Sequence, residues 1–409
     1  PTTVSHDLLV ATLRYSLSLF ALTAAVSSLL PNPVVLLAVS TYKYSTRTSF
    51  AILFPNSMST KTMQLASFLK RSASCVMIPS LDPSRVSTIE SFGGKIEPLD
   101  PIGCAVMGVD LRKSCPPENV RKALEDEMAN RGFIVFRGQQ QLSAEEFVEA
   151  SKWWGGRDIH STHGVHPATP NYNRHIFRLS NDRSHGILGV GPQWHNDGSF
   201  NDDVFSHSGY HIIRVAEHGG GTHFTHQGAA FDALPEEYQE RWSRLVSVNS
   251  NSGVLHPMVH THPISERKCV YLHLGMTGAI IEKVKDGEGF RLLDEKEMKQ
   301  IFNEYNDLMN NGLTKEGNYG IEYEYEDGDC IFIDNWAVAH RASPEAHLPP
   351  SEQGLRIMHR TTTQSPIALM PPFGLPQFMD IYSPSPFGPG VWIGGGIGFR
   401  WDDSIHMQN

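Results

Sequence analysis

From about residue 93 the chain alternates short apolar runs with amphipathic stretches punctuated by Gly, Pro and Asn. Over 117–130, Val120, Leu124 and Met128 recur every four residues, the period of one helix face, and Gly132 ends the pattern before the apolar run 133–136. Ser143 with Glu146, and Asp294 with Glu297, form capping boxes in which each side chain satisfies a free N–H of the first turn. They predict helices reaching about Trp154 and Met309. Segments 210–215, 269–274, 321–325, 330–333 and 355–361 are rich in β-branched and aromatic residues and read as strands. Many strands with few crossover helices of the parallel type predict a mainly β domain, barrel or sandwich, with helices packed outside.

The two ends differ from this middle. Residues 8–81 contain no Asp or Glu but six Lys and Arg among many Ser and Thr, the composition of a targeting segment. Its least charged stretch, 16–30, is shorter than the ~20 residues a membrane span needs, so no stable span is expected. Met58 offers an internal start, so an upstream artefact of gene prediction fits as well as a presequence. Beyond residue 365 the chain is rich in Pro and Gly. The expected organisation is 1–92 as a targeting or mispredicted segment, 93–365 as the catalytic domain, and 366–409 as an irregular covering extension.

A formal charge of −10, from 34 basic and 44 acidic residues, offers no basic surface for nucleic acid or an anionic membrane. Any anionic ligand must be held by local positive charge. Five scattered cysteines without a C-x-x-C pair fit a reducing compartment. The expected location is the cytoplasm, or a mitochondrion or plastid if the N-terminal segment is a presequence. A homo-oligomer is compatible with this reading.

Two stretches carry candidate chemistry. In Trp194-His195-Asn196-Asp197-Gly198, positions i and i+2 of extended chain face one side about 6.6 Å apart, so His195 and Asp197 can converge on one ion; the pair also fits an ordinary turn before Gly198. A third histidine would complete the two-His, one-carboxylate facial triad of non-haem Fe(II) oxygenases. The run from Ile331 ends in His340 and is followed by Arg356-Ile357-Met358-His359-Arg360. On a strand Arg356 and Arg360 share a face, rooted ~13 Å apart. Two inward guanidiniums are costly unless each meets an anion, and each can hold a carboxylate-like group in bidentate fashion.

These stretches, with Ile96-Glu97-Pro98-Leu99, Gly108-Val109-Asp110-Leu111, 132–137 and Leu255-His256-Pro257-Met258-Val259-His260-Thr261-His262-Pro263, resemble the taurine dioxygenase (TauD/TfdA) group of Fe(II)- and 2-oxoglutarate-dependent dioxygenases. The resemblance implies a double-stranded β-helix (jelly-roll) core, with His195, Asp197 and His340 as catalytic iron ligands. It implies that Arg356 and Thr222, the latter in Gly219-Gly220-Gly221-Thr222, hold the distal carboxylate of 2-oxoglutarate, and that Arg360 and His160 hold the substrate anion. The implied reaction hydroxylates a small sulfonate, sulfate, phosphonate or carboxylate using O2, while 2-oxoglutarate becomes succinate and CO2.

Three departures separate the chain from taurine enzymes: Gly191 where the family has a side chain, Met276 in place of an aromatic residue, and a longer loop before Arg356. They leave metal and cosubstrate binding but not taurine itself, and predict a roomier, more apolar pocket. Two other classes fit part of the pattern. A zinc hydrolase would use the same triad but leaves Arg356, Arg360 and Thr222 without a role and lacks a Glu beside the His-x-Asp as general base. A non-catalytic β-barrel binding protein has no need of all three ligands.

Overall fold

The computed structural model describes residues 77–113, 115–154, 159 and 164–393. In chain order the elements are α1 (Pro83–Ser91), β1 (Lys95–Pro98), β2 (Cys104–Met107), α2 (Glu118–Arg131), β3 (Phe133–Phe136), α3 (Ala144–Ser151), β4 (Phe177–Ser180), β5 (Phe205–Arg214) and β6 (Thr222–His226). There follow α4 (Gln227–Asp232), α5 (Glu236–Trp242), β7 (Leu245–Asn249), β8 (Leu255–Pro257), β9 (Val259–Thr261), β10 (Lys268–Val270), β11 (Thr277–Lys283) and β12 (Phe290–Leu292). The last are α6 (Glu295–Gly312), β13 (Gly320–Tyr323), β14 (Cys330–Asp334), β15 (Val338–Ala342), α7 (Pro350–Gln353) and β16 (Ile357–Gln364).

The helices begin where side chains satisfy their free N–H groups. Both capping boxes form, Ser143 with Glu146 and Asp294 with Glu297, although α3 ends at Ser151 rather than Trp154. Gly132 closes α2 at φ 94°, its N–H bonded to the Met128 carbonyl, a left-handed position that glycine adopts without strain. Val120, Leu124 and Met128 are buried on one face as their spacing predicts. Helix α1 lies ahead of the expected boundary at 93. It nevertheless joins the folded unit, because Arg85 Nε pairs with the buried Glu127 carboxylate of α2 at 2.6 Å.

Seven strands form one sheet in the order β1-β2-β3-β14-β5-β16-β4, and β13-β6-β15 form a second. Only β2 and β3 run parallel within the larger sheet. The two sheets share a core: Phe133, Tyr210, Ile331 and Met358 of the first meet Phe224, Tyr323 and Val338 of the second. The other face of the larger sheet packs Phe136 and Phe332 against Phe147 and Trp154. A four-stranded sheet, β12-β11-β7-β8, lies apart from these. Leu375, Ile381 and Trp392 of the segment after β16 bury themselves with Val246, Leu255 and Ile281 of that sheet, and an isolated bridge pairs Phe378 with Val254, so 375–392 covers it as largely irregular chain.

Strand β5 starts at Phe205, five residues before the expected 210. The strand expected over 269–274 stops at Val270. Among the described residues no helix is long and apolar enough to cross a membrane. Cys104, Cys115, Cys269 and Cys330 are free thiols. The acid-poor segment to residue 76, His160, and the Gly-rich run from Gly394 lie outside the described residues.

Candidate active site

Backbone pairing brings His195 and His340 together. The His195 N–H donates to the His340 carbonyl and the His340 N–H to the His195 carbonyl, both at 3.0 Å, an isolated antiparallel bridge that ties the loop before Asp197 to β15. The imidazole centroids are 4.3 Å apart. Asp197 sits between them, its Oδ1 4.0 Å from His195 Nε2 and its Oδ2 3.8 Å from His340 Nε2. One donor atom from each of the three residues lies within 4.8 Å of the others, and all three residues are buried.

Strand β5 supplies the supports. Ser208 Oγ donates to Asp197 Oδ2 at 2.7 Å, and Tyr210, two residues on and on the same face, bonds His340 Nε2 through its hydroxyl at 3.0 Å. The turn after β14 clamps the backbone of Asp197: its N–H donates to Asn335 Oδ1 at 2.9 Å, and Asn335 Nδ2 donates to its carbonyl at 2.8 Å. His195 Nδ1 lies 2.7 Å from the Gln193 carbonyl. That nitrogen therefore carries the proton, leaving Nε2 as a free lone pair.

The charges suit a cation. Burial pushes the Asp197 carboxyl up, but Arg360 and the two imidazoles more than reverse this and hold it well below the usual carboxylate range. Burial lowers His195, and takes His340 down to about 3. An ionised carboxylate between two neutral imidazoles is a borderline-to-hard donor set that fits Fe(II). The sequence gives no sign of one neighbour: the His273 ring lies 5.2 Å from that of His195, in a stretch expected to be strand interior.

Arg356, Arg360, Thr222, Tyr210, His195 and His340 line one cleft, with Leu179, Ile187, Val190 and Met358 as apolar wall. Arg356 Nη1 donates to the Gly220 carbonyl at 3.2 Å, while its Nε is buried without a partner. A Cβ on Gly220 would stand 3.1 Å from Arg356 Cδ at φ 81°, so the glycine run lets the guanidinium close on the backbone. Thr222 Oγ1 lies 2.6 Å from the Tyr325 hydroxyl, a partner not expected from the sequence. Burial lowers Arg356 and raises Tyr325 to about 12.

Two expectations are corrected. Arg360 does not lack an anion within the chain: its Nη1 donates to Asp197 Oδ1 at 2.7 Å, its guanidinium carbon lies 4.8 Å from the centre of the Phe177 ring, and only its Nε is buried unpartnered. The buried charge that should await a substrate is neutralised by the Asp197 carboxylate. Nor does Gly191 simply make room. At φ 72°, a Cβ there would come within 2.9 Å of His195 Cε1, so the space is taken by the imidazole.

Residues 95–362 match the family model described as taurine catabolism dioxygenase TauD, TfdA family. An alpha-ketoglutarate-dependent sulfonate dioxygenase of Saccharomyces cerevisiae is 24% identical over 291 residues, covering 64% of this chain and 66% of that protein. The chain thus spans just under two thirds of that relative. An alpha-ketoglutarate-dependent 2,4-dichlorophenoxyacetate dioxygenase of Cupriavidus pinatubonensis is 26% identical over 276 residues, covering 60% of this chain and 90% of its own. The crystal structure of AAD-2 in complex with Mn(II) and N-oxalylglycine superposes with a TM-score of 0.51 at 22% identity, over 68% of this chain and 99% of that one. It shares the fold.

Proposed function

The chain belongs to the taurine catabolism dioxygenase TauD, TfdA family, whose model covers residues 95–362, and on that premise we propose that it is an Fe(II)- and 2-oxoglutarate-dependent dioxygenase that hydroxylates a small organic anion. The observation that carries this reading is the convergence of His195, Asp197 and His340 within 4.8 Å on a cleft that two guanidiniums also line. The two sheets that share the Phe133–Phe224 core are read as a double-stranded β-helix.

His195, Asp197 and His340 would hold the iron. Bound there, Fe(II) supplies O2 activation coupled to decarboxylation of 2-oxoglutarate to succinate and CO2. The chain's own residues prepare that chemistry. Gln193 keeps the proton of His195 on Nδ1, Ser208 and Arg360 each hold one oxygen of Asp197, and Asn335 fixes its backbone.

Arg356 binds the distal carboxylate of 2-oxoglutarate, with Thr222 beside it; the unpartnered Nε of Arg356 is the N–H that a bidentate carboxylate would take. Arg360 keeps its own unpartnered Nε for a substrate anion while Nη1 remains on Asp197. His160 joins it on the strength of the sequence. The relatives' names give a sulfonate and an aryloxyacetate as substrates of those proteins, so the shared feature carried to this chain is an anionic headgroup on an apolar body, which suits Leu179, Ile187, Val190 and Met358.

The test is succinate release by the Fe(II)-loaded protein across alkyl and aryl sulfonates, sulfate esters, phosphonates and carboxylates, each beside its neutral ester or amide. Turnover confined to anions is expected. Equal turnover of neutral and anionic forms would remove the anion reading.

A further inference from the structure

Tyr210 stands directly opposite Arg360 in the register of β5 and β16. It is only 4% exposed and lines the cleft together with His195, His340, Arg356 and Thr222. Its ring meets that of His340 edge-on, with centroids 6.1 Å apart, and its hydroxyl bonds His340 Nε2 at 3.0 Å. That nitrogen lies 3.8 Å from Asp197 Oδ2, and is the one placed to bind a metal beside the carboxylate.

With His195, Asp197 and His340 as metal ligands, the reading on which this inference rests, His340 Nε2 has two claimants. An imidazole nitrogen holds either a proton or one lone pair. In either tautomer, coordination through Nε2 therefore ends its hydrogen bond with Tyr210. Among the described residues the hydroxyl has no second partner, and leaving a buried hydroxyl unpaired is unfavourable. Tyr210 also remains a donor, because burial first, then the Asp197 charge, push the phenol well above its usual range. An oxyanion entering the cleft would restore the lost bond. In the proposed function Arg356 takes the distal carboxylate of 2-oxoglutarate, so the 2-oxo acid end is the one that extends toward the triad.

We propose that the Tyr210 hydroxyl passes from His340 to the 2-oxo acid carboxylate of 2-oxoglutarate, and so couples cosubstrate binding to metal binding. A metal that binds alone forfeits the Tyr210–His340 bond. With 2-oxoglutarate present the hydroxyl finds a new acceptor. Each ligand then tightens the other by the same factor, as linkage requires. Direct contact between metal and 2-oxoglutarate adds coupling of its own, and Tyr210 contributes the share that depends on its hydroxyl.

The test is calorimetric titration of Co(II) into the full chain, with and without saturating 2-oxoglutarate, for wild type, Tyr210→Phe and Tyr325→Phe. Tyr210→Phe should bind Co(II) alone about two- to ten-fold more tightly than wild type, the range of one net hydrogen bond. The factor by which 2-oxoglutarate tightens Co(II) should fall by a similar amount. Damaged packing would weaken the metal instead, so a gain in affinity separates competition from a structural defect. Tyr325→Phe removes the phenol that bonds Thr222, and should leave the affinity for Co(II) alone at the wild-type value. Unchanged or weaker Co(II) binding by Tyr210→Phe would overturn the proposal, as would equal tightening by Tyr325→Phe. A 2-oxoglutarate effect as large in Tyr210→Phe as in wild type would also overturn it, by giving the freed hydroxyl to another acceptor. No effect of 2-oxoglutarate on the wild type would overturn it together with the proposed function.

Discussion

Arg360 Nη1 donates to Asp197 Oδ1 at 2.7 Å, joining residues 163 positions apart in a buried ion pair. One guanidinium therefore serves the Asp197 carboxylate and lines the cleft at once. Removing one partner of a buried pair leaves an uncompensated charge and costs ~3–5 kcal/mol.

Arg360→Ala should therefore weaken metal binding without substrate as well as substrate binding, and lower the melting temperature. Titration of the variant with Co(II) or Fe(II) in the absence of substrate checks this. Wild-type metal affinity with only the substrate KM raised would assign Arg360 to substrate alone.

Arg356→Ala should raise the 2-oxoglutarate requirement at least about ten-fold, because hydrogen bonds to a charged group contribute ~1.5–3 kcal/mol each. Tyr325→Phe removes only the hydroxyl beside Thr222 and should raise it a few-fold, as expected for a net contribution of ~0.5–1.5 kcal/mol. Steady-state KM for 2-oxoglutarate separates the two; a larger effect from Tyr325→Phe would move the principal anchor away from Arg356.

Gly191→Ala forces a Cβ to 2.9 Å from His195 Cε1 at a positive φ, where L side chains are strained. It should weaken the metal several-fold while circular dichroism stays native. Unchanged metal affinity would mean that the loop yields rather than His195.

Acid sensitivity should set in early. Burial takes His207, His256 and His260 down to about 4, and His226, His340 and His359 down to about 3, against roughly 6.5 for an unfolded histidine. Between these values the unfolded chain binds protons that the folded chain does not, so stability is fully present above about pH 6.5 and falls as the pH drops toward 4. Urea midpoints of the metal-free protein at about pH 7, 6 and 5 should decline steadily. A flat profile down to about pH 5 would contradict neutral burial of these rings.

What the sequence disclosed were local spacings: His195 and Asp197 two apart, Arg356 and Arg360 four apart on a strand, and the two capping boxes. The supports were hidden by patterning. Strand β5 reads Phe-Ser-His-Ser-Gly-Tyr-His, polar on both faces, so its first five residues did not look like strand, and Ser208 escaped notice with them. His273 was hidden inside an apolar run that leaves the sheet at Val270. The Arg360–Asp197 pair and the Asn335 clamp join distant segments, and no spacing rule links them.

The most direct measurement is succinate formed per substrate hydroxylated by the Fe(II)-loaded protein, for wild type and for His195→Ala, Asp197→Ala and His340→Ala. The account predicts a one-to-one ratio for wild type on an anionic substrate, and loss of substrate-dependent succinate in each variant with native circular dichroism retained, since the sheets rather than the ion supply the core. Wild-type iron affinity and turnover in His340→Ala would contradict it.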